Sequence, residues 1–278
     1  MKKRILAVFL ALGMLACLLS ACGGATNQTS KSSDETSASS GQNSVDSEQN
    51  HANEITVGIA QDLDDSLDPY QMTAAGTREV MFNVFEGLVK PDSDGNFVDA
   101  VASEHSVSDD QLTYTFTLRD GVVFHNGAEC TVDDVLYSFE TCAATTVNSA
   151  VAEALSAIVD TKTEGNQISF TLSAPNSDFI SYVSNVYIVP KDYAEQATQP
   201  VGTGPFKYVS RSVQENVVLE KNADYYGEQA KLDKVTYKIF EDNTAMMTAL
   251  NAGGLDLVAH LTSDQVNTLT NGYDVLEG

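Results

Sequence analysis

The sequence predicts an α/β chain with mixed sheets, and three observations carry that expectation. Short runs alternate apolar and polar residues, as in Leu112–Arg119 and Gln167–Leu172. Other stretches space their apolar residues at helical intervals, as Val132, Val135, Leu136 and Phe139 do. The two kinds follow one another along the chain instead of being segregated, with Asp-Gly and Asn-Gly pairs between them.

Taken in order, the chain opens on a basic head, Lys2-Lys3-Arg4, followed by mostly apolar residues from Ile5 to Leu19. At about 1.5 Å per residue that run spans roughly 22 Å, short of the ~30 Å hydrocarbon core. A cleaved export leader, residues 1–21, is the expectation, and small residues then lead into Cys22, whose thiol can carry a lipid. Residues 22–53 are rich in Ser, Asn, Gln and Thr and nearly free of apolar side chains. Such a segment cannot bury enough surface to offset its ordering entropy, so it reads as a spacer with a reach of roughly 30 Å.

The globular part begins near Glu54 with a strand over Ile55–Ala60, then a polar loop ending at Asp68-Pro69. A helix is expected from Thr77 to Phe85, with Val80, Met81, Val84 and Phe85 on one face. Pro91–Asn96 reads as a turn, since Asp, Asn and Gly accept the left-handed region. A calcium loop is not expected at Asp62–Asp68, which lacks the Gly and Glu that such a loop needs, nor at Asp92–Asn96, which offers too few ligands. Strand 112–119 should bury Leu112, Tyr114, Phe116 and Leu118 and expose three threonines, and a short strand is expected at Val122–Phe124 before the His125-Asn126-Gly127 turn. Thr131 then caps a helix running to about Thr141, with Asp133 and Asp134 in its first turn. Further strands are expected at 167–172, 187–189, 217–219 and 235–240, a helix at 244–250, and a strand-like run at 273–278.

Charge and thiols narrow the function. Against 39 Asp and Glu stand 15 Lys and Arg, and loss of the leader removes three basic residues, leaving a net charge of −27. Nucleic acid and anionic lipid would repel such a surface. Of the four cysteines, Cys17 lies in the leader and Cys22 at its end; Cys130 and Cys142 bracket a predicted helix and should be too far apart for a disulfide. No nucleophile elbow, His-Glu-x-x-His or Cys-x-x-Cys is present, and Gly202-Thr203-Gly204 is followed by Pro205-Phe206 where a phosphate loop needs Lys and Ser or Thr. His51, His105, His125 and His260 are scattered. Neither an enzyme nor a cofactor is expected.

Several segments together resemble a known family. These are Ser66–Pro69 with Phe85-Glu86-Gly87-Leu88-Val89, Val107–Val122, Phe124–Gly127, Thr131–Val135, Pro200–Phe206, Leu219–Tyr226 and Leu255–Val258. In this order they resemble the extracellular solute-binding proteins of the dipeptide, oligopeptide and nickel type, family 5, and Leu19-Ser20-Ala21-Cys22 resembles the lipobox of bacterial lipoproteins. His105 stands where the family usually has Trp, Gly254 where it usually has an acidic residue, and the stretch from Tyr193 to Pro200 looks shortened.

The resemblance implies a type II periplasmic-binding-protein clamshell, of which this chain would be the first lobe, the second being missing. Residues 54–88 and 201–278 would form a base domain and residues 89–200 a smaller inserted one. It further implies a monomeric, lipid-anchored substrate-binding subunit on the outer face of the cell membrane, extracellular or periplasmic. Cys22 would be the acylated residue, peptides the ligand, and an ABC permease and ATPase the partners. A nickel chelate or another small solute is the alternative ligand, and a surface lipoprotein outside transport the alternative role. By the same resemblance, ligand would lie against Met72, Thr73, Ala74, Ala75, Gly76 and Thr77, and against Ala259 and His260 with the following Leu261 and Thr262.

Overall fold

The computed structural model describes residues 53–269 and 272–276; the leader, Cys22 and the spacer up to residue 52 lie outside the described residues. The elements follow in chain order. Strand β1 (Glu54–Ile59) is followed by helix α1 (Ala75–Met81), and β2 (Val89–Pro91) and β3 (Phe97–Asp99) form a hairpin. Next come β4 (Ala102–Val107), β5 (Thr113–Leu118), α2 (Val132–Ala144), α3 (Ser149–Ser156), β6 (Ile158–Glu164), β7 (Gln167–Leu172) and α4 (Phe179–Val183). The chain closes with β8 (Phe206–Ser212), β9 (Asn216–Lys221), β10 (Lys234–Ile239), α5 (Asn243–Asn251), β11 (Leu257–Val258) and α6 (Ser263–Val266). The expected mixture of helices and mixed sheets is what is found.

Two main sheets organise these elements. One has the order β11-β1-β10-β9-β8, with β1 parallel to both β10 and β11 and the remaining pairs antiparallel. The other, β4-β5-β7-β6, is wholly antiparallel. In β5, Tyr114, Phe116 and Leu118 are buried, as the alternation requires, and Thr115 on the other face meets Ser169 across the strands at 2.9 Å. Phe170 of β7 stacks on Phe139 of α2 with centroids 4.4 Å apart, which fixes that helix against the sheet. A single apolar cluster runs from these aromatics through Val84, Phe85 and Leu88 to Val217 and Leu219 of the first sheet. Over β1, a Cβ at Gly58 would stand 2.7 Å from Leu255 and 3.0 Å from Met246, so only glycine lets α5 pack this closely.

Several expectations need correction. Helix α1 begins at Ala75 and stops at Met81, four residues before Phe85; Asn83 Nδ2 donates to the Val80 carbonyl at 3.0 Å, and the chain turns there while Val84 and Phe85 still enter the core. Val122–Phe124 is not a strand but carries one bridge, Val123 to Glu129. Residues 187–189 are an apolar run without strand pairing: the Ile188 N–H donates to the Glu86 carbonyl at 2.9 Å, and the Val189 N–H to Ser138 Oγ at 3.0 Å. Helix α2 is longer than expected and contains Cys142, and its buried stripe is Val135, Ser138, Phe139 and Cys142, with Val132 and Leu136 only partly covered. Its capping box from Thr131 to Asp134 is present. Residues 273–276 form no strand. Cys130 and Cys142 are buried and free.

Candidate ligand-binding site

Because β1 runs parallel to β10 and β11, the carboxyl ends of all three strands open on one edge of the sheet. That edge is where open α/β sheets place their ligands. From it spring the loop 60–74 leading to α1, the start of α5, and the segment after Val258.

Residues 72–77 are held there by one carboxylate. Asp64 accepts from the Thr73 N–H at 2.7 Å, the Ala74 N–H at 2.8 Å and Thr73 Oγ1 at 3.0 Å, and its own N–H donates to Thr77 Oγ1 at 2.8 Å. Partial burial pushes this carboxyl up, but the bonds from Ala74 and Thr73 outweigh it and hold the pKa below the usual range. Asp64 is in turn fixed by Arg211 of β8, which donates to the Asp64 carbonyl at 2.6 Å, the Leu63 carbonyl at 2.7 Å and Asp62 Oδ1 at 2.8 Å. The Arg211 side chain is 9% exposed, so the loop folds around a buried guanidinium.

Within this segment Met72 and Thr77 are buried, Ala74 is half-buried, and Thr73, Ala75 and Gly76 face solvent. The N–H groups of Thr73 and Ala74 are taken up by Asp64, which leaves the amides at the start of α1 facing outward with no side-chain cap. Ala259 and His260 are exposed as well. His260 sits in the left-handed region at φ 59°, and its Nε2 lies 3.1 Å from Glu79 Oε2 of α1, so the two expected segments are brought together. Thr262 caps α6 and is thereby occupied.

A recess of about 60 Å³ lies beside α1, lined among others by Met72, Arg78, Cys142, Asn148 and Tyr187. Neither it nor the Asp64–Arg211 clamp is anticipated from the sequence. Arg211 lies 147 residues from Asp64, and no local pattern announces such a bond. Arg78 could have been noticed as a cation one turn into a helix that leads from a candidate ligand loop.

Two further junctions fix residues 202–204 and Glu86. His125 Nε2 donates to the Gly204 carbonyl at 3.0 Å and Nδ1 accepts from the Gly202 N–H at 3.4 Å. Burial lowers the His125 pKa to about 4, so the ring is neutral at pH 7. Buried Glu86 accepts from Tyr225 at 2.7 Å, from Lys90 at 2.6 Å and from the Tyr226 hydroxyl. Among the described residues no three His, Cys, Asp or Glu side chains gather as a metal site, and no helix is long and apolar enough to cross a membrane.

Residues 96–277, about two thirds of the chain, match the profile of the bacterial extracellular solute-binding proteins, family 5 Middle. The nickel-binding periplasmic protein of Escherichia coli K12 is 28% identical over 185 residues, which cover 63% of this chain and 35% of that one. The ABC transporter-associated periplasmic binding protein DppA of Helicobacter pylori, solved with the peptide STSA, superimposes with a TM-score of 0.70 at 28% identity, covering 77% of this chain and 48% of that one. The binding protein AgaA of A. tumefaciens R10, solved with agropinic acid, gives 0.69 at 28% identity, covering 74% and 43%. The chain thus spans less than half the length of these relatives, a share that fits one lobe of a type II periplasmic binding protein. By fold and by sequence, the chain belongs to the bacterial extracellular solute-binding proteins of family 5.

Proposed function

We propose that this chain is the first lobe of the substrate-binding lipoprotein of an ABC importer, and that it captures peptides outside the membrane and passes them to a permease. The observation that carries this reading is the exposed, uncapped start of α1 at the carboxyl edge of β1, where Ala75 and Gly76 offer main-chain N–H groups to an extended peptide. The H. pylori relative, solved with a peptide, supports the same class of ligand. Residues 54–88 with 201–278 act as the base domain and 89–200 as the insertion, in keeping with a five-stranded sheet drawn from 54–59 and 206–258 and a four-stranded one drawn from 102–172. Cys22 carries the lipid anchor, and the protein acts as a monomer without catalysis.

One wall of a clamshell binds weakly. Solvent-exposed main-chain bonds contribute only ~0.5–1.5 kcal/mol each, against an association cost of several kcal/mol or more. Calorimetry of this chain against a mixed peptide library should therefore give dissociation constants no tighter than about millimolar, and the same chain extended by a second lobe should gain orders of magnitude. Micromolar binding by this lobe alone would mean that the pocket lies wholly within it and that the clamshell reading is wrong. Cys22→Ala should abolish lipidation, read as loss of partition into detergent.

A further inference from the structure

We propose that the recess between α1, the junction of α2 with α3, and residues 185–187 receives a free carboxylate of the ligand, with Arg78 as counter-ion and Tyr187 and Asn148 as neutral donors. The inference rests on the peptide reading above and narrows it to ligands that present a carboxylate at this end of the segment 73–76.

The size is the first argument. About 60 Å³ is room for a few waters or for a small polar group such as a carboxylate. The second argument is charge. The chain has 39 Asp and Glu, yet none of the residues lining the recess is acidic, and Arg78 is the one cation among them. Among the described residues, Lys90, Lys162, Lys191, Lys207, Arg211, Lys221 and Lys234 each have a carboxylate within salt-bridge distance. Arg78 has none, as is true also of Arg119, Lys231 and Lys238; its Nη2 donates to the Thr73 carbonyl at 3.0 Å, which aims the guanidinium and leaves Nε and Nη1 without an acceptor among the described residues.

The third argument is the set of open donors. Neither the Tyr187 hydroxyl nor the Asn148 side chain makes a hydrogen bond within the described residues, although both line the recess. Asn148 also begins α3, whose first N–H groups have no side-chain cap and whose dipole favours an anion there. Burial raises the Tyr187 phenol while the nearby Arg78 charge pulls it down, which places the two groups in mutual electrostatic reach. The floor adds no competing charge: Met72 is apolar, and burial lifts the Cys142 thiol to about 11, so it stays protonated at neutral pH. A carboxylate is the group that converts two open neutral donors and an unmatched cation into charge-assisted hydrogen bonds.

A carboxylate can come from a peptide's C-terminus or from an acidic side chain, and the experiment separates them. The purified chain, labelled with ¹⁵N, is titrated while the Arg78 Nε–Hε and Asn148 side-chain signals are followed by NMR. Sodium acetate should shift both saturably, whereas acetamide and equal sodium chloride should not, and Arg78→Gln should remove the acetate response. Tyr187→Phe should weaken it severalfold; Arg78 is exposed and Tyr187→Phe keeps the ring that packs against Phe85, so neither result turns on folding. Ala-Ala-Ala should then bind at least about tenfold better than Ala-Ala-Ala-amide, a preference lost in Arg78→Gln. If N-acetyl-Asp-Ala-amide binds as well as the free-acid tripeptide, the source is a side chain; if not, it is the C-terminus. No acetate response at Arg78, or one unchanged in Arg78→Gln, overturns the recess as a carboxylate site. Acetate binding with equal affinity for Ala-Ala-Ala and its amide leaves the recess standing as an anion site and overturns its assignment to a ligand carboxylate.

Discussion

Lowering the pH should destabilise this protein through one histidine. His125 must be neutral to donate from Nε2 to the Gly204 carbonyl while accepting at Nδ1 from Gly202. Its pKa falls from 6.5 to about 4, chiefly through burial, with a smaller contribution from Lys207 and a partial offset from the Gly204 bond. The unfolded chain therefore takes up this proton near pH 6.5 and the folded one only near 4. Stability from this group is complete above pH 6.5 and is lost as the pH falls toward 4. Integrated, the loss is about 2 kcal/mol at pH 5 and about 3 kcal/mol when complete. Urea unfolding followed by circular dichroism, at pH 7.5 and pH 5, measures it in the parent and in His125→Gln. The variant should start lower but lose about 2 kcal/mol less between the two pH values, since every other group is common to both proteins. Equal losses, or a His125 imidazole that titrates near 6.5 in the folded parent, would refute the reasoning.

Other outcomes follow from the same geometry. Gly204→Ala would set a Cβ 2.6 Å from the Asn83 carbonyl oxygen, and should cost about 1–3 kcal/mol or more in urea unfolding. Arg211→Lys keeps the charge but not the three bonds to residues 62–64, so hydrogen exchange at the Thr73 and Ala74 amides should quicken about tenfold or more while Phe116 and Ile168 exchange as before. Cys130 and Cys142 should resist alkylation in the folded chain, because burial raises both thiols, and both should react after unfolding under non-reducing conditions. A crosslinked Cys130–Cys142 peptide would contradict the helix between them.

Where a segment buries one face, its sequence announces it. Thr113–Leu118 and Gln167–Leu172 alternate because each lays one side on the aromatic core. The edge strand Ile158–Glu164 is exposed along almost its whole length, so no alternation marks it. Helix α3 is marked by the same signal, since Val151, Ala154 and Leu155 recur at helical spacing and are its buried residues. The opposite error, a strand at 187–189, arises because an apolar run can fill a core from a loop whose amides bond to Glu86 and Ser138. At the site, the local features of residues 72–77 were readable, but their anchorage was not. Asp64 looks like any loop carboxylate until Arg211, far along the chain, is found inside the turn.

The placement of β1 between two parallel partners also sets a timetable for folding. Its first neighbour, β10, ends 180 residues after it, and β11 lies farther still. At ~5–20 residues per second, β1 waits roughly 9–36 s for a partner during synthesis. The antiparallel sheet of β4 to β7 needs no such wait, since all its pairings close within residues 102–172. That antiparallel sheet can thus assemble while β1 is still unpaired, and residues 72–77, hung on the loop from β1, reach their final place among the last parts of the molecule to do so.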